Sequence, residues 1–374
     1  MADRSELVLV NVIHAKTGGG KVYLDQVLPR LAAMPGSVRY LAVVRPDQEA
    51  SLRERGVATL AVRAPEGPLG SLLWDQTMLP WIAVRRGAAL VFTPANFGPW
   101  ILGHRSLVLL RNTPQAASPG TGWFLRLYWL ALREVTRLSV LSAGGGLVVS
   151  GSFRDHLASA FGLDPRGLQV VHHGVDSMFR PDGPAAPVSG SGPFLLVVSD
   201  LYPHKNLLVL VDAFAIVARG RPDLRLLVAG REWDPSYSRK VRERIAHHGL
   251  AGRVEFLGGV PQQELPPLYR AAAAAVCVST AETFGISQVE AMACGTPLVV
   301  SDLPYAHEIA ADAALFVPPH DAAGMAGGLT RVLEDAGAAA DLRARGLQRA
   351  RHFTWDATAR AVHAAIVRRV AGLA

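Results

Sequence analysis

The chain has 374 residues, of which half are hydrophobic and only two are cysteine, and its net charge is +7. This length exceeds what one core usually organises and predicts two globular domains, and the hydrophobic fraction excludes a disordered chain. Two cysteines exclude a disulfide framework or a cysteine-based metal cluster and favour a reducing cytoplasm. The arginines are spread along the chain without a dense basic run, which argues against a nucleic-acid partner.

Short apolar runs of strand length alternate with helix-like segments along both halves. In the first half they are Leu7 to Ile13, Arg39 to Val44, Ala89 to Thr93, Leu107 to Leu110 and Gly146 to Val149. In the second half they are Phe194 to Val198, Leu224 to Ala229, Val254 to Leu257, Ala275 to Val278 and Pro297 to Val300. Strands that alternate with helices predict parallel sheets with right-handed crossovers, and hence two doubly wound α/β domains.

Residues 181–193 separate the two series and are rich in proline, glycine and serine, which predicts a linker. We assign residues 1–180 to an N-terminal domain, 194–355 to a C-terminal domain and 356–374 to a final helix that crosses back to the first domain. Charged residues precede the first apolar run, and prolines interrupt the longest uncharged stretch, Gly87 to His104, so we expect neither a signal peptide nor a transmembrane segment.

The first candidate loop contains Gly18, Gly19 and Gly20, directly after the first strand and before a helical run from Val22. Glycines at this place let backbone N–H groups approach an anion at the helix N-terminus. It is not a Walker loop, because Val22 follows Lys21 where Ser or Thr is required. The alternative is a tight glycine-rich turn without a ligand.

The second candidate loop carries Lys205 and Asn206, after the strand Phe194 to Val198 and before a helix near Leu207. A lysine at the end of a strand can meet a diphosphate as a mobile point charge, and the positive net charge of the chain suits such a substrate. The alternative is a solvated loop lysine.

The third loop, which precedes a helix that runs from Ile286 to Gly295, is the strongest candidate. Glu282 falls in the loop, and Glu290 is predicted one turn into the helix on its exposed side. Two such carboxylates can accept hydrogen bonds from the vicinal hydroxyls of a sugar and a ribose, and Phe284, Gly285 and Ile286 add backbone donors. The alternative for Glu290 is an ordinary surface carboxylate.

With these motifs the sequence resembles the retaining glycosyltransferases of family 4, which have the GT-B fold of two facing Rossmann-like domains. The resemblance rests on Glu282 and Glu290 with seven residues between them, on Phe284-Gly285, on residues 290–297 and on Lys205-Asn206. His173-Gly174-Val175-Asp176 is similar to the Asn-Gly-Val-Asp that closes the first domain in that family. The resemblance runs from the Gly18 loop to the final helix.

The resemblance implies that Glu290 holds the ribose hydroxyls, Glu282 the hydroxyls of the transferred sugar and Lys205 the diphosphate. Gly18, Gly19, Gly20 and Phe284 to Ile286 would complete the cradle. The chain departs from the family at Asp200 and Leu201, close to where many members carry an arginine. It also has Arg111 and Asn112 where many members carry a histidine, and either one is a candidate catalytic replacement.

We therefore expect retaining transfer of a hexose-type sugar from a UDP- or GDP-sugar to a hydroxyl of a bacterial cell-surface glycan, a glycolipid or a natural product, without a cofactor or a metal. The protein is expected in the cytoplasm. Alternatives are an inactive nucleotide-sugar-binding partner subunit and a GT-B-fold epimerase or phosphorylase. The expected acceptor site is on the first domain, which carries the aromatic residues Trp74, Trp81, Phe97, Trp100, Trp123, Phe124, Tyr128 and Trp129.

Aromatic residues and arginines also mix along Trp123 to Arg137. Such a segment can rest on an anionic membrane surface, which would make the protein peripheral to the inner face of the membrane. The alternative is a solvated helix face that carries arginines.

Overall fold

The computed structural model describes residues 5–15, 18–112, 123–186 and 192–373. Contacts divide the chain into two compact units, which we call unit 1 (Met1–Gly174 and Trp355–Ala374) and unit 2 (Val175–Thr354). Each unit contains a parallel sheet with helices between its strands. The prediction of a two-domain α/β protein is confirmed.

The sheet of unit 1 has the order β3-β2-β1-β4-β5-β6-β7. Its strands are β1 (Glu6–Asn11), β2 (Val38–Val44), β3 (Thr59–Ala61), β4 (Leu90–Thr93), β5 (Ser106–Leu110), β6 (Gly146–Val148) and β7 (Leu168–Val170). The helices between them are α1 (Gly18–Ala32), α2 (Pro46–Glu54), α3 (Pro68–Arg85), α4 (Trp123–Ala143) and α5 (Gly151–Phe161). The order reverses between β1 and β4, and the crevice beyond the carboxyl ends of these strands is where such sheets bind ligands.

The sheet of unit 2 has the order β10-β9-β8-β11-β12-β13, so its order reverses between β8 and β11. Its strands are β8 (Phe194–Val198), β9 (Arg225–Ala229), β10 (Val254–Gly258), β11 (Ala274–Cys277), β12 (Leu298–Ser301) and β13 (Leu315–Val317). Its helices are α6 (Leu207–Ala218), α7 (Pro235–His247), α8 (Leu265–Ala271), α9 (Ile286–Ala293), α10 (Pro304–Ala310), α11 (Ala322–Glu334) and α12 (Ala336–Ala350).

Continuous apolar sequence explains the central strands of both sheets. Residues 8–10 of β1 and 195–196 of β8 are fully buried, because helices cover both faces of a doubly wound sheet. In unit 2 the buried side chains of α6 and α11 pack against β8 in one hydrophobic core. These rigid central strands fix the loops that follow their carboxyl ends.

The last helix, α13 (Trp355–Ala371), belongs to unit 1. Thr358 donates to the carbonyl of His172 at 2.8 Å, and the hydroxyl of Tyr40 lies 2.7 Å from Nδ1 of His363. None of the described helices has the length and apolar character that crossing a bilayer would need.

Unit 2 begins at Val175, before the predicted linker 181–193. The reason is that the chain already bonds to unit 2 there: the Val175 amide donates to the carbonyl of Phe353 at 2.9 Å. Arg270 donates to the carbonyls of Arg180 at 3.0 Å and Pro184 at 2.9 Å. The part of the predicted linker from 187 to 191 lies outside the described residues.

Candidate active site

Lys205 and Glu282 lie where the strand order of unit 2 reverses. Lys205 ends a 3₁₀ turn after β8, and Glu282 lies in the loop after β11. Because neighbouring parallel strands end at the same edge of a sheet, loops far apart in sequence meet here. Asn206 fixes the turn, with a left-handed φ of 62° and a hydrogen bond of 2.6 Å from its Nδ2 to the carbonyl of Pro319.

The structure brings Lys205 and Glu282 into direct contact. Nζ of Lys205 lies 2.5 Å from Oε1 of Glu282, and the hydroxyl of Ser279 donates to the same oxygen at 2.9 Å. The two charged side chains are only 18% and 17% exposed, so their pairing is screened less than that of a surface pair. The Thr280 amide also donates to the carbonyl of His204 at 2.8 Å, which joins the two loops.

Glu290 lies one turn into α9, as predicted, but the prediction that it is on the exposed side is wrong. It is 7% exposed, because α9 is enclosed by α8, α10 and α12 and buries all of its residues from Gln288 to Ala293. The buried hydroxyl of Tyr269, on α8, donates to Oε2 of Glu290 at 3.1 Å. Burial raises the pKa of Glu290 to about 8, and the hydrogen bond from Tyr269 opposes that rise.

Cys277, the last residue of β11, connects these groups. Its Sγ lies 3.5 Å from the hydroxyl of Ser287, and both residues line a small cavity together with Lys205 and Glu282. The Tyr269 hydroxyl that donates to Glu290 also lies 3.4 Å from the carbonyl of Ser287. The three predicted side chains are therefore grouped around the end of one strand. Burial raises the pKa of the Cys277 thiol to about 12, which keeps it protonated and unsuited to act as a nucleophile.

The loop before α9 is held by packing and by one backbone conformation. Phe284 is buried, with its ring centre 5.7 Å from that of Phe353. Gly285 has a φ of 85°, and a Cβ at this position would lie 2.8 Å from Nε2 of Gln288, so only glycine fits without strain. Ile286 then begins α9, whose first N–H groups lack partners within the helix and can receive an anion.

A cation that sequence reasoning missed lies beside Asp200. Arg231, after β9, donates its backbone N–H to Oδ1 of Asp200 at 2.8 Å and its guanidinium to Oδ2 at 3.0 Å. Its neighbour Trp233 donates to Oδ2 at 2.7 Å. Because β9 and β8 are adjacent strands, the loop after β9 supplies a positive charge next to positions 200 and 201, which lie in the loop after β8. The signal was an arginine two residues after the end of a predicted strand.

In unit 1, Arg111 lies against the start of α1. Gly18, Gly19 and Gly20 form the first turn of this helix rather than a loop before it. A Cβ on Gly20 would lie 3.1 Å from Nη2 of Arg111, and the guanidinium carbon is 5.2 Å from the centre of the Tyr23 ring. Burial lowers the pKa of Arg111. The structure thus joins two of the predicted elements, the glycines and Arg111.

Asn112 is exposed, and its backbone is held by Asn96, which sequence reasoning also missed. Oδ1 of Asn96 accepts from the amides of Arg111 at 3.0 Å and Asn112 at 3.2 Å, and its Nδ2 donates to the carbonyl of Asn112 at 2.6 Å. His173 is half-buried, and its ring centre lies 5.3 Å from that of Tyr23. Burial, together with the charge of Arg111, lowers its pKa to about 3, so the imidazole is neutral.

A second polar group of unit 1 follows β1. Nε2 of His14 lies 2.6 Å from Oδ2 of Asp75, and Nδ2 of Asn11 donates to Oδ1 of Asp75 at 2.9 Å. Asp75 is fully buried on α3, and the His14 ring packs edge-on against Phe97. The available signals were a lone acid within an apolar helix and two polar residues that end an apolar strand.

Among the described residues, no three histidine, cysteine, aspartate or glutamate side chains come together as metal ligands. Lysine, arginine and the N-terminus of a helix are instead the groups that bind phosphate. Carboxylates beside them suit hydroxyl groups. The chemistry of unit 2 therefore fits a ligand with both phosphates and hydroxyls.

Comparison with known proteins points the same way. Residues 184–351 match the model of the family described as "Glycosyl transferases group 1". This region contains Lys205, Glu282 and Glu290, and the match supports a glycosyltransferase of the GT-B fold.

Two curated relatives carry specific names. D-inositol 3-phosphate glycosyltransferase of Frankia alni is 35% identical over 223 residues, which cover 56% of this chain and 55% of the relative. The GDP-mannose:cellobiosyl-diphosphopolyprenol alpha-mannosyltransferase of Xanthomonas campestris is 30% identical over 201 residues, with 52% and 51% covered. The chain thus spans about half the length of the curated relatives it matches.

The structure of HepE from Anabaena, solved in complex with UDP, covers 97% of this chain and all of its own, with a TM-score of 0.74 and 18% identity. At that identity the likeness shows the fold alone.

Proposed function

We propose that the protein is a retaining glycosyltransferase that moves a hexose-type sugar from a UDP- or GDP-sugar to an acceptor hydroxyl. The observation that carries this proposal is the grouping of Lys205, Glu282 and Glu290 around the end of β11. The family match over residues 184–351 supports it, since it includes all three residues. Both bases stay in the proposal, because the names of similar proteins include GDP-mannose in one case and UDP in another.

The donor would lie along the loops after β8 and β11. Lys205 and the first N–H groups of α9 would meet the diphosphate, and Glu290 would hold the ribose hydroxyls. Oε1 of Glu282 already accepts from Lys205 and Ser279, while Oε2 remains for a hydroxyl of the transferred sugar. Glu282 also holds the Lys205 ammonium in place before the donor arrives, so that less reorganisation is needed during the reaction.

Transfer builds positive charge on the anomeric carbon and negative charge on the departing diphosphate. A fixed ammonium and helix N–H groups stabilise that negative charge most strongly where water is scarce, and the Lys205 side chain is 18% exposed. Glu282 is engaged by two donors, which favours a hydroxyl binder over a nucleophile. We propose the same outcome as in the retaining glycosyltransferases of family 4, which the sequence resembles. The anomeric configuration would be retained without an enzyme nucleophile, a cofactor or a metal.

In unit 1, we propose that Arg111, Asn112 and the first turn of α1 contact the reacting sugar or its acceptor. Arg111 is held by Tyr23 and Gly20, and Asn112 by Asn96, so both positions are fixed before a ligand binds. The proposed location is the cytoplasm, where nucleotide sugars serve as donors.

The test is product analysis after incubation with UDP- and GDP-sugars and candidate acceptors. Free nucleoside diphosphate together with a new α- or β-linked glycoside supports transfer, and the anomeric configuration tests retention. Sugar 1-phosphate would indicate a phosphorylase, and an isomerised sugar without transfer would indicate an epimerase. Binding without turnover would indicate an inactive partner subunit. Calorimetry with UDP and GDP tests the proposed nucleotide site directly. If both Lys205→Ala and Glu290→Gln bind these nucleotides with unchanged affinity, the site is not where we propose it.

A further inference from the structure

We propose that unit 1 docks on an anionic phospholipid bilayer through an apolar face formed by α3, the segment Trp100–Arg105 and α4. Of the thirteen large hydrophobic residues that are exposed in the described part of the chain, nine lie on this face. They are Leu73, Met78, Trp81, Val84, Ile101, Leu127, Leu130, Leu138 and Leu141. Such a concentration marks an interaction surface, because scattered exposure would distribute them over both units.

Hydrogen bonds show that the three elements form one surface. Nε2 of Gln76, on α3, donates to the carbonyl of Gly98 at 3.0 Å, and the Trp100 amide donates to Oε1 of Gln76 at 2.9 Å. On the other side, the Gly98 amide donates to the hydroxyl of Ser139, on α4, at 3.2 Å. The segment that carries Ile101 therefore runs between the two helices.

Helical spacing puts the exposed residues on the outer side of each helix. On α3, Leu73, Trp81 and Val84 share one side, while Leu79 and Ile82 pack into the core on the other. The four exposed leucines of α4 share a side in the same way. Exposure is large, reaching 66% for Leu73 and 70% for Ile101. Both helices therefore present apolar side chains to the core and to the outside.

The charges around the apolar face are mainly positive. Arg85 lies with its guanidinium carbon 4.9 Å from the centre of the Trp81 ring, and Arg86 follows it. On α4, Arg133 and Arg137 lie 3.9 and 3.8 Å from Glu134, the acid in the middle of the leucine row, and so compensate its charge. Apolar side chains at the centre, with arginines and a tryptophan at the border, are what the headgroup region of an anionic bilayer accepts.

This charge pattern favours lipid over a second copy of the chain. A two-fold contact between two such faces would bring arginines against arginines, with Glu134 as the acid available to pair with them. Anionic headgroups would neutralise the arginines while the acyl chains cover the leucines.

Of the aromatic residues considered for the acceptor site, Trp74 is buried, and the side chains of Trp123, Phe124, Tyr128 and Trp129 lie outside the described residues.

The test is flotation of the full chain with vesicles of phosphatidylcholine, alone or mixed with phosphatidylglycerol. We expect binding to the mixed vesicles that weakens in high salt. The double variant Trp81→Ser/Ile101→Ser should lower the partition coefficient at least ~10-fold, since two large apolar side chains no longer enter the bilayer. The matched control Ile216→Ser, an exposed position in unit 2, should bind like the wild type. Circular dichroism checks that all variants fold.

A second pair of variants tests the charge. Arg85→Glu/Arg86→Glu should abolish binding, whereas Arg239→Glu/Lys240→Glu in unit 2 has the same change in net charge and should leave it intact. Equal loss in both pairs, equal binding to both vesicle types or no binding by the wild type would overturn the proposal. So would a lipid-free dimer, detected by sedimentation equilibrium, that Trp81→Ser/Ile101→Ser dissociates. Since the readout is binding, the outcome is independent of the proposed transferase activity.

Discussion

The two sheets reverse their strand order at equivalent places, yet they hold polar side chains there in different ways. In unit 2, side chains hold one another: Lys205 and Ser279 bond to Glu282, and Tyr269 bonds to Glu290. In unit 1, the guanidinium of Arg111 packs against the Tyr23 ring and the first turn of α1. The same topology thus holds the Lys205 cation of unit 2 by pairing it with an acid, and the Arg111 cation of unit 1 by packing it against a ring and a helix turn.

The largest effect is expected in unit 2, from Lys205→Ala. The change removes the proposed diphosphate contact and leaves the partly buried Glu282 with the hydrogen bond from Ser279 but without its cation. Hydrogen bonds to charged groups contribute about 1.5–3 kcal/mol, so affinity for UDP or GDP should fall ~10–100-fold and turnover further. Calorimetry and product assays measure this, with the exposed Lys240→Ala as control. If affinity does not change, Lys205 does not contact the diphosphate.

Glu290→Gln should have opposite effects on binding and on stability. Burial raises the pKa of Glu290 from its usual 4.5 to about 8, so the unfolded chain ionises first and stability is lost as pH rises between these values. Glutamine cannot ionise and should therefore unfold at a higher temperature than the wild type near pH 8 but not near pH 4.5. One pKa unit corresponds to about 1.4 kcal/mol, so the gain at pH 8 is of the order of a few kcal/mol.

Nucleotide affinity of the same variant should fall ~10-fold, because the amide replaces an acceptor of ribose hydroxyls. Thermal unfolding at both pH values and calorimetry provide the two readouts. Glu243→Gln, on the exposed surface of α7, is the control and should change neither. A variant that is less stable at pH 8 would show that the Glu290 carboxyl is ionised and satisfied in the empty protein.

How far sequence predicts the fold depends on burial. The central strands were predicted because both of their faces are covered, which makes them continuous apolar runs such as Phe194 to Val198. β3, β7 and β13 were not predicted. Each is a partly exposed strand at the edge of its sheet and therefore lacks a continuous apolar run, whereas β6, which is equally short but fully buried, has one.

The candidate site divides in the same way. The meeting of Lys205 with Glu282 follows from the positions of two strand ends. The burial of Glu290 does not, because it depends on which helices pack around α9, and the pattern within one helix does not contain that information. The contact between His14 and Asp75 joins residues 61 positions apart, and neither residue has a local motif that points to the other.

A smaller effect is expected in unit 1, from Arg111→Met. If Arg111 contacts the reacting sugar or its acceptor, turnover should fall ~10-fold while UDP or GDP affinity stays within about twofold of the wild type. Arg111→Lys should recover only part of the turnover, because an ammonium cannot stack on Tyr23 as a guanidinium does. Separate measurement of turnover and of nucleotide affinity checks this. A fall in affinity as large as that of Lys205→Ala would mean that unit 1 also binds the diphosphate, and that Arg111 and Lys205 have the same role.

The smallest effect is expected from Gln288→Met on α9. The Gln288 side chain is 1% exposed, and neither of its amide atoms has a hydrogen-bond partner among the described residues. A buried amide without partners costs about 1–3 kcal/mol, whereas methionine has similar length and no such cost. Stability should therefore rise by about 1 kcal/mol in denaturant unfolding, with nucleotide affinity unchanged. A loss of stability would instead show that the Gln288 amide has a hydrogen-bond partner. The buried polar side chains of unit 2 would then be paired with one another even where they carry no charge.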